Sequence, residues 1–226
     1  DYDNEIDIVG FHGQTIYHNP ELKFSKQLGN GKLLSQITKK LVVSDFRQND
    51  LQNGGQGAPL TPIFHKLISE IINKKFQIKP PVHIINIGGI TNITQVNSFN
   101  ENKISDLFAS DIGPGNCLID EWVRKNSNKK FDDSGNIAKS GKVNELIYNQ
   151  AIDNFEIKSY RKSLDISDFD LSFIKGLSFE DGCATITKFS AFLIARGIEW
   201  IKDLNNKNEG IFLVSGGGRK NDFLIS

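Results

Sequence analysis

The residues best suited to chemistry in this chain sit in a few short segments rich in glycine or polar side chains. In SDIGPGN, Asp111 stands ahead of a turn in which Pro114 fixes φ and the flanking glycines permit unusual angles. A carboxylate held this way can act as a general base on a water or hydroxyl within hydrogen-bond reach, or it can simply cap the turn. Asn116 is suited to satisfying backbone groups at the start of the helix that comes after it. NIGGITNIT places Gly88 and Gly89 in a tight strand-to-strand turn, where the missing Cβ atoms let backbone N–H groups approach phosphate oxygens. An ordinary hairpin needs the same two glycines. LVSGGGRKN puts Gly216, Gly217 and Gly218 between an apolar strand and a helix start, able to lie flat under an adenine or ribose. It is neither GxGxxG nor a Walker loop, and strand-to-helix glycine turns are common.

The first part of the chain offers a different set. GFHGQT carries His12 and Gln14 on a loop at the end of a strand, the edge at which open α/β sheets bind ligands. The histidine could donate to a sugar oxygen or make a structural hydrogen bond. DFRQND supplies Arg47 and Asp50, and the nearby NGGQGAPLTP is stiffened by its prolines. Planar donors and acceptors on rigid backbone suit a sugar site, and a salt-bridged surface loop would use the same residues.

Alternating elements must position these groups. EIDIVGFHG reads as a buried strand, Ile6 to Gly10; then come a helix from about Lys32 to Lys39 and a strand from Leu41 to Ser44. IFHKLISEIINKKF is an apolar helical run that ends before Pro80-Pro81, the expected domain boundary between 1–80 and 81–226. VHIINIGGITNITQV reads as a hairpin, ENKISDLFASD continues the strand pattern, and CLIDEWVRKNS starts a helix. SFEDGCATITKFSAFLIARGIEWIKDL is a long amphipathic helix with Ser178 as its cap. GIFLVSGGGRKNDFLI closes with strand, glycine loop and helix start. Interleaved strands and helices give an α/β class, with two domains flanking a cleft.

Composition narrows the function classes. The chain has 226 residues, 38% of them hydrophobic and 24% charged, with formal net charge +0. That is ordinary for a globular protein and leaves no electrostatic footprint for nucleic acid or an acidic membrane. No apolar run is long enough to span a bilayer and no signal peptide opens the sequence. The two cysteines, Cys117 and Cys183, lack metal-type spacing, and two reduced thiols in a cytoplasmic protein are expected. Methionine is absent, and the sequence begins already running into a strand, so a missing N-terminal portion is expected.

A glycine hairpin, an Asp turn and a strand-GGG-helix, in that order, form the layout of a two-lobed phosphotransferase that closes over ATP. In GFHGQTIYHNP, DFRQNDLQNGGQGAPLTPIFH, NIGGITNIT, SDIGPGNCLIDEW, SGNIAKSGKVNE, DGCATITKFSA and VSGGGRKN, the chain resembles the anhydro-N-acetylmuramic acid kinase family. These segments run in family order and span almost the whole chain. The family belongs to the actin, sugar kinase and Hsp70-like ATPase superfamily, so the resemblance implies a two-lobed ribonuclease H-like fold.

It also implies a reaction. Such kinases open the ring of 1,6-anhydro-N-acetylmuramic acid with water and phosphorylate its 6-hydroxyl from ATP, a step of cell-wall recycling. Asp111 matches the family's base. The NIGGITNIT loop, with Gly88, Gly89 and Asn92, is similar to the superfamily's second phosphate hairpin, and Gly216 to Gly218 to its adenosine loop. His12, Gln14, Arg47, Asp50, Gln56 and Asn116 are implied on the sugar side. Mg²⁺ is expected with ATP, carried on the phosphates with little direct protein ligation, and a homodimer is implied. The family's opening strand and first phosphate hairpin have no counterpart here, and the family continues past the adenosine loop, so a chain truncated at both ends is expected. Two other readings stand beside the kinase: an inactive module that only binds sugar or a partner, and a sugar-independent ATPase. Turnover with the anhydro-sugar separates the three.

Overall fold

A computed structural model describes residues 5–99, 107–155, 160, 163–204 and 210–226. Part of the strand pattern expected in ENKISDLFASD and part of the irregular run SYRKSL fall outside these residues. The chain forms two compact units, Asp1–Leu60 and Thr61–Ser226.

In the first unit, strand β1 (Ile8–Phe11) pairs in parallel with β4 (Leu41–Ser44), and β2 (Gln14–Asn19) pairs antiparallel with β3 (Phe24–Leu28). Helix α1 (Gly31–Thr38) precedes β4, and α2 (Phe46–Gln52) comes after it. The Asn30 side chain caps α1 by accepting from Leu33 N, and Lys39 ends it in the left-handed conformation. The strand expected at Ile6 to Gly10 lies at Ile8–Phe11 and alternates between exposed and half-buried rather than being buried. Among the described residues β4 is its one partner, in a two-stranded sheet, and no second neighbour encloses it.

The second unit is an α/β structure built on a mixed sheet of order β7-β6-β5-β8. Strands β5 (Val82–Ile87) and β6 (Ile90–Val96) form the expected hairpin; β7 (Leu107–Pro114) is antiparallel to β6, and β8 (Ile211–Ser215) is parallel to β5. Period-two alternation splits β5 between two faces. Ile85 and Ile87 join the main core with α4 (Cys117–Asn126) and the long α7 (Phe179–Leu204). Val82 and Ile84 pack with Val96 on the other face, which α3 (Pro62–Phe76) covers, His65 reaching Thr94. Two glycines let helices approach closely. A Cβ on Gly197 of α7 would come 2.5 Å from Ile112 Cβ, and one on Gly182 2.3 Å from the Trp122 ring of α4.

Ser178 caps α7 as the sequence suggests, its hydroxyl accepting from Asp181 N at 3.1 Å. The compact units divide between Leu60 and Thr61, ahead of the Pro80-Pro81 break. Pro81 does not lie in a linker: its carbonyl accepts from Ile211 N at 3.1 Å, where β5 and β8 begin to pair. The shorter helices α5 (Asn136–Ser140) and α6 (Glu145–Asn154) pack on α7, and α8 (Asp222–Ile225) ends the chain.

Candidate active site

Three glycine loops meet at one end of the second unit's sheet. The Gly88-Gly89 turn joins β5 to β6, and the Gly-Pro-Gly-Asn turn ends β7 and leads into α4. Hydrogen bonds tie these two turns together. Gly88 O accepts from Asn116 N at 2.8 Å and from Asn116 Nδ2 at 3.1 Å, while Gly89 O accepts from Gly115 N at 2.8 Å and Cys117 N at 3.1 Å. Both turn carbonyls thus face the start of α4 and satisfy N–H groups that a helix leaves open at its first turn. The C=O and N–H of a trans peptide point in opposite directions. The Gly89 and Ile90 N–H groups therefore face away from α4, and a Cβ on Gly89 would meet nothing within 4 Å. This is the geometry of a turn that can offer N–H donors to an anion.

The Gly216 to Gly218 loop abuts the same place. Gly216, at φ 85°, adopts an angle that side-chain-bearing residues rarely take, and its Cβ would lie 2.4 Å from Ile87 O. On Gly218 a Cβ would strike Ile87 Cγ2 at 2.2 Å and come within 3.2 Å of Asn116 Nδ2. The glycines run into a 3-10 turn, Gly217–Lys220, and only then into the short α8, so no long helix begins directly at them. Beside the loop opens a cavity of about 370 Å³, walled by Asn116, Ile119 and Asp120 of α4, by the 131–134 segment, and by Gly217 and Lys220.

Asp111 lies within strand β7, not on the turn after it. Asn92 pairs with Asp111 while Thr91 pairs with Gly113, so Ile112 is an extra residue, a β-bulge. Ile112 fills the core against α7. The register then aligns Ser215, Asn86, Asn92 and Asp111 in one row across four strands and on one face. Asp111 Oδ2 accepts from Leu164 N at 3.0 Å. Burial raises its pKa above the ordinary 3.8, with the Leu164 N–H pulling the other way. A partly desolvated carboxylate anchored through one oxygen is suited to accepting a proton. Asn92 Oδ1 is buried without a hydrogen bond in the middle of the row.

Asn116 does not cap α4 with its side chain, as the sequence suggests it would. Its amide Nδ2 donates to Gly88 O instead, the same carbonyl that accepts from Asn116 N. It therefore joins the two turns and lines the cavity beside Gly217.

The first unit gathers a separate polar network. His12 Nδ1 lies 2.8 Å from Gly13 O, and a carbonyl can only accept, so Nδ1 carries the proton. That leaves the Nε2 lone pair for Arg47 Nε–H at 3.0 Å. Arg47 also donates to Gly57 O at 2.8 Å, and Gly57 N donates to Asp50 Oδ2 at 2.7 Å. Arg47 and Asp50 thus clamp opposite sides of one peptide segment, and burial lowers the Arg47 pKa. The loop between them is tight: a Cβ on Gly55 would lie 2.1 Å from Asp50 Oδ2. Gln14 opens strand β2 instead of lying on a loop, and its side chain and that of Gln56 are exposed; only the Gln56 backbone meets this network. His18, which no sequence motif singled out, belongs to it. Its Nδ1 lies 3.1 Å from Ser25 Oγ, and its pKa is lowered by burial and then by Arg47, with the Gln56 backbone partly offsetting both. His12 also lines a polar pocket of about 300 Å³ with Ser25, Gln27, Ser44 and Gln48.

Asn86, Ser215, Asp120 and Lys220 were likewise missed. The first two could have been found from polar residues interrupting apolar strands just before glycine turns; nothing local marks the last two. Among the described residues no group of three or more His, Cys, Asp or Glu could hold a metal ion. None of the helices among them is long and apolar enough to cross a membrane.

Fold and site together define an α/β protein in which two glycine turns and a carboxylate-bearing strand share one sheet end, an arrangement that can hold an anion beside a base. Comparison with known proteins narrows this class. Residues 2–226 match the family described as anhydro-N-acetylmuramic acid kinase, and the chain belongs to that family. It is 52% identical to the anhydro-N-acetylmuramic acid kinase of Pelagibacter ubique (strain HTCC1062) over 96% of the chain and 56% of that protein. Identity to the protein of the same name from Zymomonas mobilis is 43%, over 96% of the chain and 56% of the relative. For Methylobacterium nodulans it is 37%, over 98% and 56%. The chain thus spans a little over half the length of these relatives.

Proposed function

We propose that this chain carries the sugar- and nucleotide-binding parts of an ATP-dependent kinase. The reaction opens 1,6-anhydro-N-acetylmuramic acid with water and phosphorylates O6, giving N-acetylmuramic acid 6-phosphate and ADP. The observation that carries the reading is the single row in which Asp111 stands next to Asn92, beside a glycine turn whose carbonyls are tied to α4 and whose N–H groups face outward. In this reading Asp111 takes a proton from the water that attacks the anomeric carbon. The C1–O6 bond breaks, and O6 forms its new bond to the γ-phosphorus as ADP leaves. A base and a phosphate must be held at fixed separation for this sequence, and a bulged strand bonded to the phosphate turn does so with little freedom.

Gly88, Gly89 and Asn92 are assigned to the phosphates. Gly216, Gly217 and Gly218 are assigned to the adenosine, whose base would occupy the cavity beside Asp120 and Lys220. His12, Gln14, Arg47, Asp50 and Gln56 are assigned to the sugar, with Asn116 moved to the nucleotide group by its place in that cavity. Mg²⁺ fits as an ion carried by the phosphates, since the described residues build no cage for it; when bound it neutralises phosphate charge. A two-lobed ribonuclease H-like architecture is part of the same proposal.

The test is turnover. Purified protein supplied with the anhydro-sugar, ATP and Mg²⁺ is expected to release ADP only when the sugar is present. Asp111→Asn is expected to lower kcat by about 10²–10⁴-fold while nucleotide affinity is kept. Sugar binding without ADP release would favour a binding module, and full activity in the Asn variant would remove Asp111 as the base.

A further inference from the structure

His65, in the first turn of α3, is used by none of the assignments above. Only residues 77–81 separate the end of α3 from Val82. The last turn of the helix therefore lies toward the Val82–Val96 end of the sheet, and its first turn toward the opposite end, where the glycine loops are. There His65 Nδ1 lies 2.7 Å from Thr94 Oγ1. Thr94 pairs with Ile84 and Ala109, and the next rung on the same face is Asn86, Asn92 and Asp111. Successive rungs on one face of a sheet are about 7 Å apart, a separation that one sugar ring can bridge. Thr94 is fully buried, so its hydroxyl fixes one ring nitrogen from below. His65 itself is only half-buried, and its Nε2 makes no hydrogen bond to the described residues. Burial lowers its pKa from the ordinary 6.5, which keeps the imidazole neutral at neutral pH. A neutral imidazole can give or take a hydrogen bond, as recognition of a hydroxyl requires.

We propose that His65 is a substrate-contacting residue whose Nε2 holds a hydroxyl or ether oxygen of the sugar above the Asn92–Asp111 rung, with Thr94 locking the ring in place. This rests on the kinase reading of the same sheet face. It adds a group from α3 that sets where the sugar lies relative to the base.

The experiment compares His65→Ala, His65→Asn and Thr94→Val with the unmodified protein, measuring kcat and KM for the anhydro-sugar and for ATP, together with Tm. For His65→Ala the sugar KM is expected to rise about tenfold or more, the loss of one well-placed hydrogen bond, with ATP KM and Tm little changed. His65→Asn, which keeps a donor and an acceptor, should recover part of the loss, and Thr94→Val should weaken sugar binding in the same direction. An unchanged sugar KM in His65→Ala, or a fall in Tm with all kinetic parameters worsening together, overturns the inference. If the unmodified protein turns over the sugar and His65→Ala is unaffected, the inference fails and the kinase reading stands. Failure of the unmodified protein to bind or turn over the sugar sinks both.

Discussion

Gly115→Ala tests the joint between the two turns. Gly115 has no positive φ, so alanine meets no backbone penalty there and the effect is one of space alone. The new methyl would sit 2.2 Å from Gly88 O, 3.0 Å from Gly88 C and 3.1 Å from Thr91 Oγ1. The first of these is a backbone atom at a distance that real methyl groups do not tolerate, so the turns must separate by nearly an ångström. Four hydrogen bonds cross this joint, from Gly115 N, Asn116 N, Asn116 Nδ2 and Cys117 N. At about 1 kcal/mol each, with two to four lost or stretched, the cost is about 2–4 kcal/mol. Urea unfolding measures it as a lower midpoint at unchanged slope. Gly89→Ala is the control. Its Cβ has open space and its φ is not positive, so stability should change by less than about 0.5 kcal/mol. The methyl would nevertheless stand where phosphate is proposed to approach, so ATP KM should rise. If Gly115→Ala unfolds at the same urea concentration as the unmodified protein, the turns are not joined as described, and Asp111 has lost its fixed distance from the phosphate turn.

Two further outcomes concern carboxylates withdrawn from solvent, Asp111 in part and Asp132 fully. Burial raises the Asp111 pKa above 3.8, so the unfolded chain ionises first as pH rises, and stability is lost from pH 3.8 up to the folded-state value. Asp111→Asn escapes that loss and can keep the Leu164 N–H bond through its amide oxygen. Its Tm should match the unmodified protein at pH 3 and exceed it at pH 7, and a lower Tm at pH 7 would contradict the burial argument. Asp132 is buried and accepts from Ile137 N at 2.7 Å and Ala138 N at 3.0 Å, with Cys183 Sγ at 3.5 Å. Asp132→Ala leaves two buried N–H groups unpaired and should cost about 2–4 kcal/mol in denaturant unfolding. A cost below about 1 kcal/mol would mean that water replaces the carboxylate.

The sequence makes elements legible where local rules and packing agree. The β5–β6 hairpin arises from β-branched runs around two glycines, and α7 from its period and the Ser178 cap. Strand β4 is bounded as its residues suggest, because Lys39 in the left-handed conformation stops α1 just before it. Asp111 is a different case. A Gly-Pro-Gly run reads as a turn, yet β7 continues through Pro114, because the bulge at Ile112 absorbs the extra residue and the edge strand needs no N–H from proline. The row of Ser215, Asn86, Asn92 and Asp111 is invisible to local reading, since it depends on registers among strands far apart in the chain. The place of α3 is equally hidden: its apolar residues say that it packs, but not on which unit, and the Pro80-Pro81 break points the wrong way when Pro81 is itself part of the ladder.

At the start of α4, the N–H groups of Asn116 and Cys117 are taken by the carbonyls of Gly88 and Gly89. Peptide groups linked in series polarise one another, so the positive pole of the helix is passed through the turn to the N–H groups on its far side. In the proposed site the helix would act on the phosphate at one remove, as a battery acts through a wire. A perturbation that slid α4 along its axis, without touching any residue of the turn, would weaken anion binding by breaking that circuit.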